Sequence, residues 1–390
     1  MSSCSSKSDV SEFSLTKSEP NEIMATENRE VVMVTGGAGF LGQHIVHLLQ
    51  TRADYVKEIR ILDIKKFNSS PCKGLEGDNV VSQKPVNSIV GSVTDRETVL
   101  AACKDVDSVF HVAGLISYGT FPDYEGMRNV NVRGTENVIS ACQEAGVKRI
   151  IFCSTVDVVV GSEEIVDGTE ENTHPPEKFL FPGYPHTKYE AECLVRKVNG
   201  ATTAKGNLIH TICIRANVMY GEGDPYFLLS GLKSAHHAKG VLQRVGDGKA
   251  LFQAVYVGNI AWAFICADKA LKQRHELGGE VFYAPDDTRP QNTFDFMEPY
   301  LMARGYRLSS YSLPYWLVYG SLRAAEGLVR IISPFTKKDL PAQSYSVQYI
   351  NTNIYFRNTK AKEMLGFMPL FTPEEATERS MHYYKNVNLD

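Results

Sequence analysis

The sequence predicts an α/β fold, a doubly wound parallel sheet with a second, smaller lobe, and three observations predict it. Short β-rich runs alternate with helical patterns over the first half of the chain. A glycine-rich turn follows the first of those runs directly. Past about Gly223 the alternation becomes irregular, which marks off the smaller lobe. At 390 residues the chain has material for one large domain or two ordinary ones.

The elements follow in order. Residues 1–28 are serine-rich and acidic without an apolar block, and read as a disordered tail, not a secretory signal. Order is expected from Glu30, where 31–34 is a short apolar run. Further strand runs are 59–63, 87–90, 108–112, 149–154 and 208–214. Between them, helical patterns cover 44–51, 96–103, 130–145 and 188–198. Residues 254–270 read as strand, turn and helix returning to the first lobe. No internal repeat is visible.

Composition narrows the classes. The formal charge is −4 and no run of five like charges occurs, so a nucleic-acid surface has no support. Eight cysteines are scattered without C-x-x-C spacing, several of them inside apolar runs such as Ile151-Phe152-Cys153. They read as reduced core residues, with neither a disulfide framework nor a metal site. No stretch reaches 18 apolar residues, so a plain spanning helix is absent.

The glycine-rich turn is Gly36-Gly37-Ala38-Gly39-Phe40-Leu41-Gly42, between the first strand and the first helix. Gly36 permits the tight turn, Gly39 lets backbone approach a pyrophosphate, and Gly42 allows helix and strand to pack closely. The helix start at Phe40 and Leu41 then offers free N–H groups to phosphates. Asp63 ends the next strand 21 residues past Gly42, where a carboxylate accepts from ribose hydroxyls and repels a 2′-phosphate. The pattern is a Rossmann dinucleotide site with NAD favoured over NADP, although Lys65 and Lys66 stand nearby. The domains expected are a tail over 1–28, an NAD-binding domain over 29–222 rejoined by 254–283, and a substrate-binding lobe of 223–253 and 284–390.

Tyr184 and Lys188 stand four apart, and Pro185 suits the first turn of a helix, which puts both on one face. An ammonium about 4 Å from a phenol, at an effective dielectric near 20, favours the phenolate by roughly 4 kcal/mol. That is enough to bring a phenol from about 10 toward 7, where it serves as a general base. Thr155 closes a strand at the edge of the expected crevice, where a hydroxyl can hold a substrate oxygen against the tyrosine.

With these residues stand His111-Val112-Ala113-Gly114, Asn131-Val132-Arg133-Gly134-Thr135 and Arg215 with Tyr220-Gly221-Glu222-Gly223. Together they resemble the extended short-chain dehydrogenases/reductases. Within that group, Tyr184-Pro185-His186-Thr187-Lys188, the 256–263 segment and Phe282-Tyr283-Ala284-Pro285-Asp286-Asp287 are most similar to the 3β-hydroxysteroid dehydrogenase/Δ5-Δ4 isomerases. The resemblance runs from about Val31 to Lys385. It implies NAD-dependent oxidation of a steroid 3β-hydroxyl, with Tyr184 as acid/base, Lys188 lowering its pKa and holding the ribose, and Thr155 orienting the hydroxyl. It allows Δ5 to Δ4 isomerisation as a second step, with Asp286, Asp287 and Tyr283 matching the residues the family is thought to use. It also favours a homodimer. Four positions depart from the pattern: Ser92 stands for an aspartate near the adenine, Ala216 for a proline, and Phe282 for the first of two tyrosines. In Arg289-Pro290-Gln291 a histidine is missing, so the last two departures fall on the isomerase segment.

Other candidates have plainer readings. His186 reads as a surface or interface residue, His111 as a strand residue beside the crevice, and His236-His237 lack a third metal ligand. Over 313–335, Tyr315, Val318, Tyr319, Leu322, Ala325, Val329 and Ile332 recur at helical spacing, with Arg323, Glu326 and Arg330 on another side. That pattern suits a helix lying in a membrane interface, with Lys337-Lys338 facing anionic headgroups, or a core helix of the second lobe. The expected protein is therefore a 3β-hydroxysteroid or sterol dehydrogenase at the endoplasmic reticulum membrane, on its cytosolic or reducing face. A mitochondrial membrane or the cytoplasm is the alternative location. Competing activities are a decarboxylating sterol-4α-carboxylate 3-dehydrogenase, a nucleotide-sugar epimerase or reductase, and a non-catalytic dinucleotide-binding protein.

Overall fold

The computed structural model describes residues 29–68, 84–333 and 339–390. The expected tail, Cys72 and Lys337-Lys338 lie outside the described residues. Among those described the strands are β1 (Glu30–Thr35), β2 (Val56–Asp63), β3 (Val86–Val90), β4 (Ser108–His111), β5 (Arg149–Thr155), β6 (Ile165–Gly168) and β7 (His210–Ala216). Then come β8 (Val218–Tyr220), β9 (Val241–Val245), β10 (Ala254–Tyr256), β11 (Glu280–Tyr283), β12 (Arg307–Leu313) and β13 (Ile354–Phe356).

Seven of them form one sheet in the order β3-β2-β1-β4-β5-β7-β11, and every neighbouring pair is parallel. This is the doubly wound α/β fold that the sequence predicts. The order runs outward from β1 and β4 in opposite directions, so the crossovers place helices on opposite faces. A crevice opens where they part, beyond the C-terminal strand ends.

Strand alternation sorts the apolar residues into two cores. In β1, Val32 and Val34 pack with the helices Phe40–Arg52 and Val257–Gln273, whereas Val31 and Met33 enter the opposite core. That second core is closed by the helices Arg96–Cys103, Gly134–Ala145 and Tyr184–Lys197. β5 divides in the same way, with Ile151 on one side and Ile150 and Phe152 on the other. Burial on both faces is why these strands read as continuous apolar runs.

Several expected boundaries differ, three of them with a local cause or consequence. The 130–145 pattern is two elements, a π-helical turn Arg128–Arg133 followed by Gly134–Ala145. The 208–214 run begins as β7 only at His210, because Leu208 pairs back on Thr202. β10 passes straight into the helix Val257–Gln273 without a turn. Around the sheet lie the pairs β8/β10, β9/β12 and β6/β13, with the helices Phe227–His237, Thr293–Met302, Tyr315–Ile332, Ser344–Tyr349, Thr359–Leu365 and Pro373–Asn386. Phe296, Tyr300, Tyr349 and Tyr384 join the core on one sheet face, so this part packs as an extension of it.

Candidate active site

The glycine turn is built too tightly for side chains. Gly36 has φ of +72°, and a Cβ there would come within 2.8 Å of the Ala113 backbone. A Cβ at Gly42 would collide with the carbonyl oxygen of Gly36. Gly39 precedes the helix Phe40–Arg52 and offers no side-chain cap, so the first-turn N–H groups stay open to an anion. Leu41 is buried beneath the turn and Phe40 packs edge-on to His44, with ring centroids 6.1 Å apart.

Asp63 braces the turn from the end of β2. Its Oδ2 accepts from the Ala38 N–H and its Oδ1 from the Lys65 N–H, each at 2.9 Å. Each oxygen keeps a lone pair for a further donor. Just past β2 and at the end of β3, Ile64 and Val90 are exposed apolar side chains. Ser92 bonds the Thr94 hydroxyl at 2.8 Å. A tight turn, an unblocked helix start, a carboxylate and two bare apolar side chains fit a dinucleotide.

At the switch between β1 and β4 a buried relay fixes the floor of the crevice. The Thr35 hydroxyl meets His111 Nδ1 at 2.7 Å, and His111 Nε2 meets the Thr135 hydroxyl at 2.9 Å. Thr135 donates to the Asn131 carbonyl at 2.6 Å, so its oxygen accepts from Nε2–H and leaves Nδ1 to accept from Thr35. Burial, with Lys188 adding repulsion, pushes His111 down to about 3 and holds the ring neutral. Asn131 sits at the centre: its side chain exchanges two hydrogen bonds with the Leu115 backbone and donates to Thr187 at 2.9 Å.

The helix Tyr184–Lys197 starts at Gly183, whose φ of +79° turns the chain, with proline in the first turn. Tyr184 and Lys188 are both buried on it. Lys188 Nζ lies 4.1 Å from the Phe152 ring centroid and, among the described residues, has no carboxylate partner. Burial lowers its pKa. Tyr184 moves opposite to the expected depression: burial pushes the phenol well above its ordinary value, and Cys153, Asp157 and Tyr226 add to the rise. Lys188 is not among the groups acting on it.

Thr155 ends β5, its hydroxyl oxygen accepting from the Asp157 N–H at 3.2 Å. Asp157, in the one-turn helix Val156–Val159, is buried, and burial raises its carboxyl to about 6 against the hydrogen bonds of Thr155 and Tyr118. Its charge also reaches Tyr184 and Tyr349. Aromatic rings line this corner. Tyr118 packs edge-on to Tyr184 at 5.9 Å, and Phe181 contacts Tyr118, Tyr345 and Tyr349 at 5.4, 5.4 and 5.1 Å. The arrangement holds a hydroxyl, a phenol, an ammonium and a protonatable carboxyl beside aromatic rings, which suits proton transfer at a substrate oxygen.

A family model, the 3-beta hydroxysteroid dehydrogenase/isomerase family, matches residues 33–315. The chain belongs to that family. The 3 beta-hydroxysteroid dehydrogenase type 7 of Mus musculus is 32% identical over 362 residues, covering 90% of this chain and 95% of that protein. Among solved structures, a dTDP-glucose 4,6-dehydratase from Streptomyces venezuelae with NAD bound aligns with a TM-score of 0.64 at 18% identity, over 91% of this chain and 97% of that one. An epimerase from Methanothermobacter thermautotrophicus gives 0.66 at 17%, over 94% and 96%. These likenesses show the fold.

Not all residues named from the sequence gather in this crevice. Thr155, Tyr184 and Lys188 do. Asp286 instead accepts from the Tyr256 N–H, the Asn259 amide and the Thr288 N–H, at 2.9 to 3.0 Å. Asp287 pairs with Lys362 at 3.4 Å, and Tyr283 bonds Thr173 and Arg215 at 2.7 and 2.9 Å. None of these three hydrogen bonds with Thr155, Asp157, Tyr184 or Lys188 among the described residues. His186 is exposed, and no group of three metal-ligating side chains occurs among the described residues. Sequence reasoning quoted Asn131 within a motif but gave it no role, and it passed over Asp157. The signal for Asp157 is a carboxylate in the otherwise apolar run 156–160.

The helix Tyr315–Ile332 also differs from expectation. The expected apolar stripe is half-buried from Tyr315 to Val329 and exposed at Ile332, and the helix's one buried side chain is Glu326. Trp316, Leu317, Leu328 and Ile331 point out, with Trp316 and Ile331 72% and 74% exposed. No helix among the described residues is long and apolar enough to cross a membrane.

Proposed function

We propose that this protein oxidises the 3β-hydroxyl of a steroid or sterol to the ketone with NAD as acceptor. The observation that carries the reading is Tyr184 buried between Thr155, Asp157 and an aromatic wall in a chain of the 3-beta hydroxysteroid dehydrogenase/isomerase family. NAD would be held by the turn Gly36–Gly42, the start of the helix Phe40–Arg52, and Asp63, with Lys188 at the ribose. When bound it supplies the two-electron acceptor. Thr155 orients the substrate oxygen, and Tyr184 takes its proton only as the phenolate, so the phenol proton that burial holds on it must first pass to solvent. Lys188 is buried on the same helix face and is assigned to the ribose, since it does not act on the Tyr184 phenol in this structure.

The 3-ketone acidifies carbon 4 of a Δ5 steroid, and a carboxyl near 6 can take that proton and return it at carbon 6. Asp157 is the carboxyl placed beside Tyr184, so the isomerase reading moves to it from Asp286 and Asp287. The exposed apolar side of the helix Tyr315–Ile332 supports attachment to a membrane surface, for which we propose the endoplasmic reticulum, with the protein as a homodimer.

The test is a substrate panel with NAD: dehydroepiandrosterone, a Δ5-3β-hydroxysteroid, against a 4α-carboxysterol and a UDP-hexose. NADH formation from the first alone is expected, with conjugated enone absorbance near 240 nm if Asp157 isomerises. Turnover of only the carboxysterol with carbon dioxide release overturns the choice of substrate. Loss of enone with NADH formation intact removes the isomerase half.

A further inference from the structure

The loop between β4 and the short helix Tyr124–Met127 has no regular structure over 112–120, yet it carries Tyr118 onto the Tyr184 ring. A bare loop would hold that ring poorly, since fixing each backbone residue costs conformational entropy. It is held from far along the chain. Asp339 Oδ1 accepts from the Thr120 N–H at 2.8 Å and the Phe121 N–H at 3.4 Å. The Tyr345 hydroxyl accepts from the Gly119 N–H at 2.9 Å and donates to the Gly119 carbonyl at 3.4 Å. Gly119 has φ of +120°, and a Cβ there would come within 3.0 Å of Asp339 Oδ1, so glycine lets the carboxylate approach.

The same arm also builds the wall. Tyr345 and Tyr349 close on Phe181, which touches Tyr118, and the Tyr118 hydroxyl lies 3.5 Å from Asp157 Oδ2. Its inner helix, Ser344–Tyr349, is tied to the helix Tyr315–Ile332 by Glu326, which accepts from the Ser344 N–H at 2.6 Å and its hydroxyl at 2.9 Å.

We propose that Asp339 and Tyr345 are positioning residues, a clamp that fixes residues 118–121 so that Tyr118 seats Tyr184 and Asp157 for proton transfer. The proposal rests on the reading of Tyr184 as the acid/base. A carboxylate accepting two consecutive amides is a charge-assisted contact, stronger than neutral loop hydrogen bonds.

The experiment uses the full chain with NAD and dehydroepiandrosterone, and reads kcat together with hydrogen–deuterium exchange over 115–123. In Asp339→Ala, kcat is expected to fall about tenfold and the amides of 119–121 to exchange at least tenfold faster, with KM for NAD within twofold. Asp339→Asn keeps an acceptor oxygen and should recover most of both effects. Tyr345→Phe, which removes one oxygen and leaves folding intact, should give an intermediate loss. Faster exchange with kcat within twofold of wild type overturns the positioning role, and unchanged exchange overturns the clamp itself. Tyr184→Phe separates the two ideas: turnover surviving in it refutes the acid/base reading, while the exchange result still judges the clamp.

Discussion

The backbone amide of Asp157 donates to the Thr155 hydroxyl oxygen at 3.2 Å, so the hydroxyl at the strand end is aimed by a residue two positions on. The carboxyl of that residue is buried and raised to about 6 from 3.8. Its charged form is disfavoured in the fold, so the burden on stability is full above about pH 6 and disappears as pH falls below 3.8. Holding the carboxylate at neutral pH costs the folded state about 3 kcal/mol. Asp157→Asn should therefore raise the urea midpoint at pH 7.5, lose that advantage near pH 4, and abolish enone formation. A less stable variant at pH 7.5 would refute the burden assigned to this carboxyl.

His111 carries the opposite sign. Its ring is held neutral, down to about 3 from 6.5, between Thr35 and Thr135. The unfolded chain takes up a proton below 6.5 that the fold refuses, so stability is full above 6.5 and falls as pH drops toward 3. In His111→Gln, the loss of stability between pH 6.5 and 4.5 should be flatter by up to about 1.4 kcal/mol per pH unit. The variant should also be weaker at pH 7.5 by about 1–3 kcal/mol, the cost of broken buried hydrogen bonds. Denaturation midpoints across that range check both. An unchanged slope would mean that His111 titrates normally in the fold.

How much of this was legible follows from distance along the chain. Six of the seven sheet strands were readable because each declares itself in a short apolar run, whereas β11, which joins β7 only after the whole of 217–279, was not. Tyr184 and Lys188 share one helical turn, so spacing alone puts them on one face. Asp157 has its partners at Tyr118 and Tyr349, and the clamp joins Asp339 to Thr120, pairings that only tertiary packing brings together. Asp286 and Asp287 stand adjacent in sequence, but one caps backbone amides and the other meets a surface lysine. The apolar repeat over 315–332 could show its spacing, not which side of it the second lobe covers.

Gly42→Ala tests the turn. The added methyl would strike the Gly36 carbonyl, a backbone atom that cannot step aside without moving the turn. NAD affinity, read by quenching of protein fluorescence, should fall at least about tenfold, because the N–H groups that face the phosphates shift with it. Gly320→Ala, at a helical position where a Cβ meets nothing within 4 Å, is the control and should leave affinity unchanged. Equal affinity in both variants would show that the turn tolerates displacement.

The helix Tyr315–Ile332 presents Trp316, Leu317, Leu328 and Ile331 outward, with Arg323 and Arg330 also exposed. An isolated exposed leucine needs no explanation, but four large apolar side chains on one helix form a patch that water disfavours. Three charges and the buried Glu326–Ser344 contact argue that the helix lies along a surface and does not cross it. Each large apolar side chain moved from water into the acyl boundary is worth about 1.5–3 kcal/mol. Trp316→Glu with Ile331→Glu should therefore weaken co-flotation with phosphatidylcholine–cholesterol vesicles at least about hundredfold. Turnover of detergent-dispersed steroid should stay within twofold, because neither side chain reaches Tyr184. Retained flotation would show that another surface holds the membrane, and lost turnover would show that this helix shapes the crevice instead.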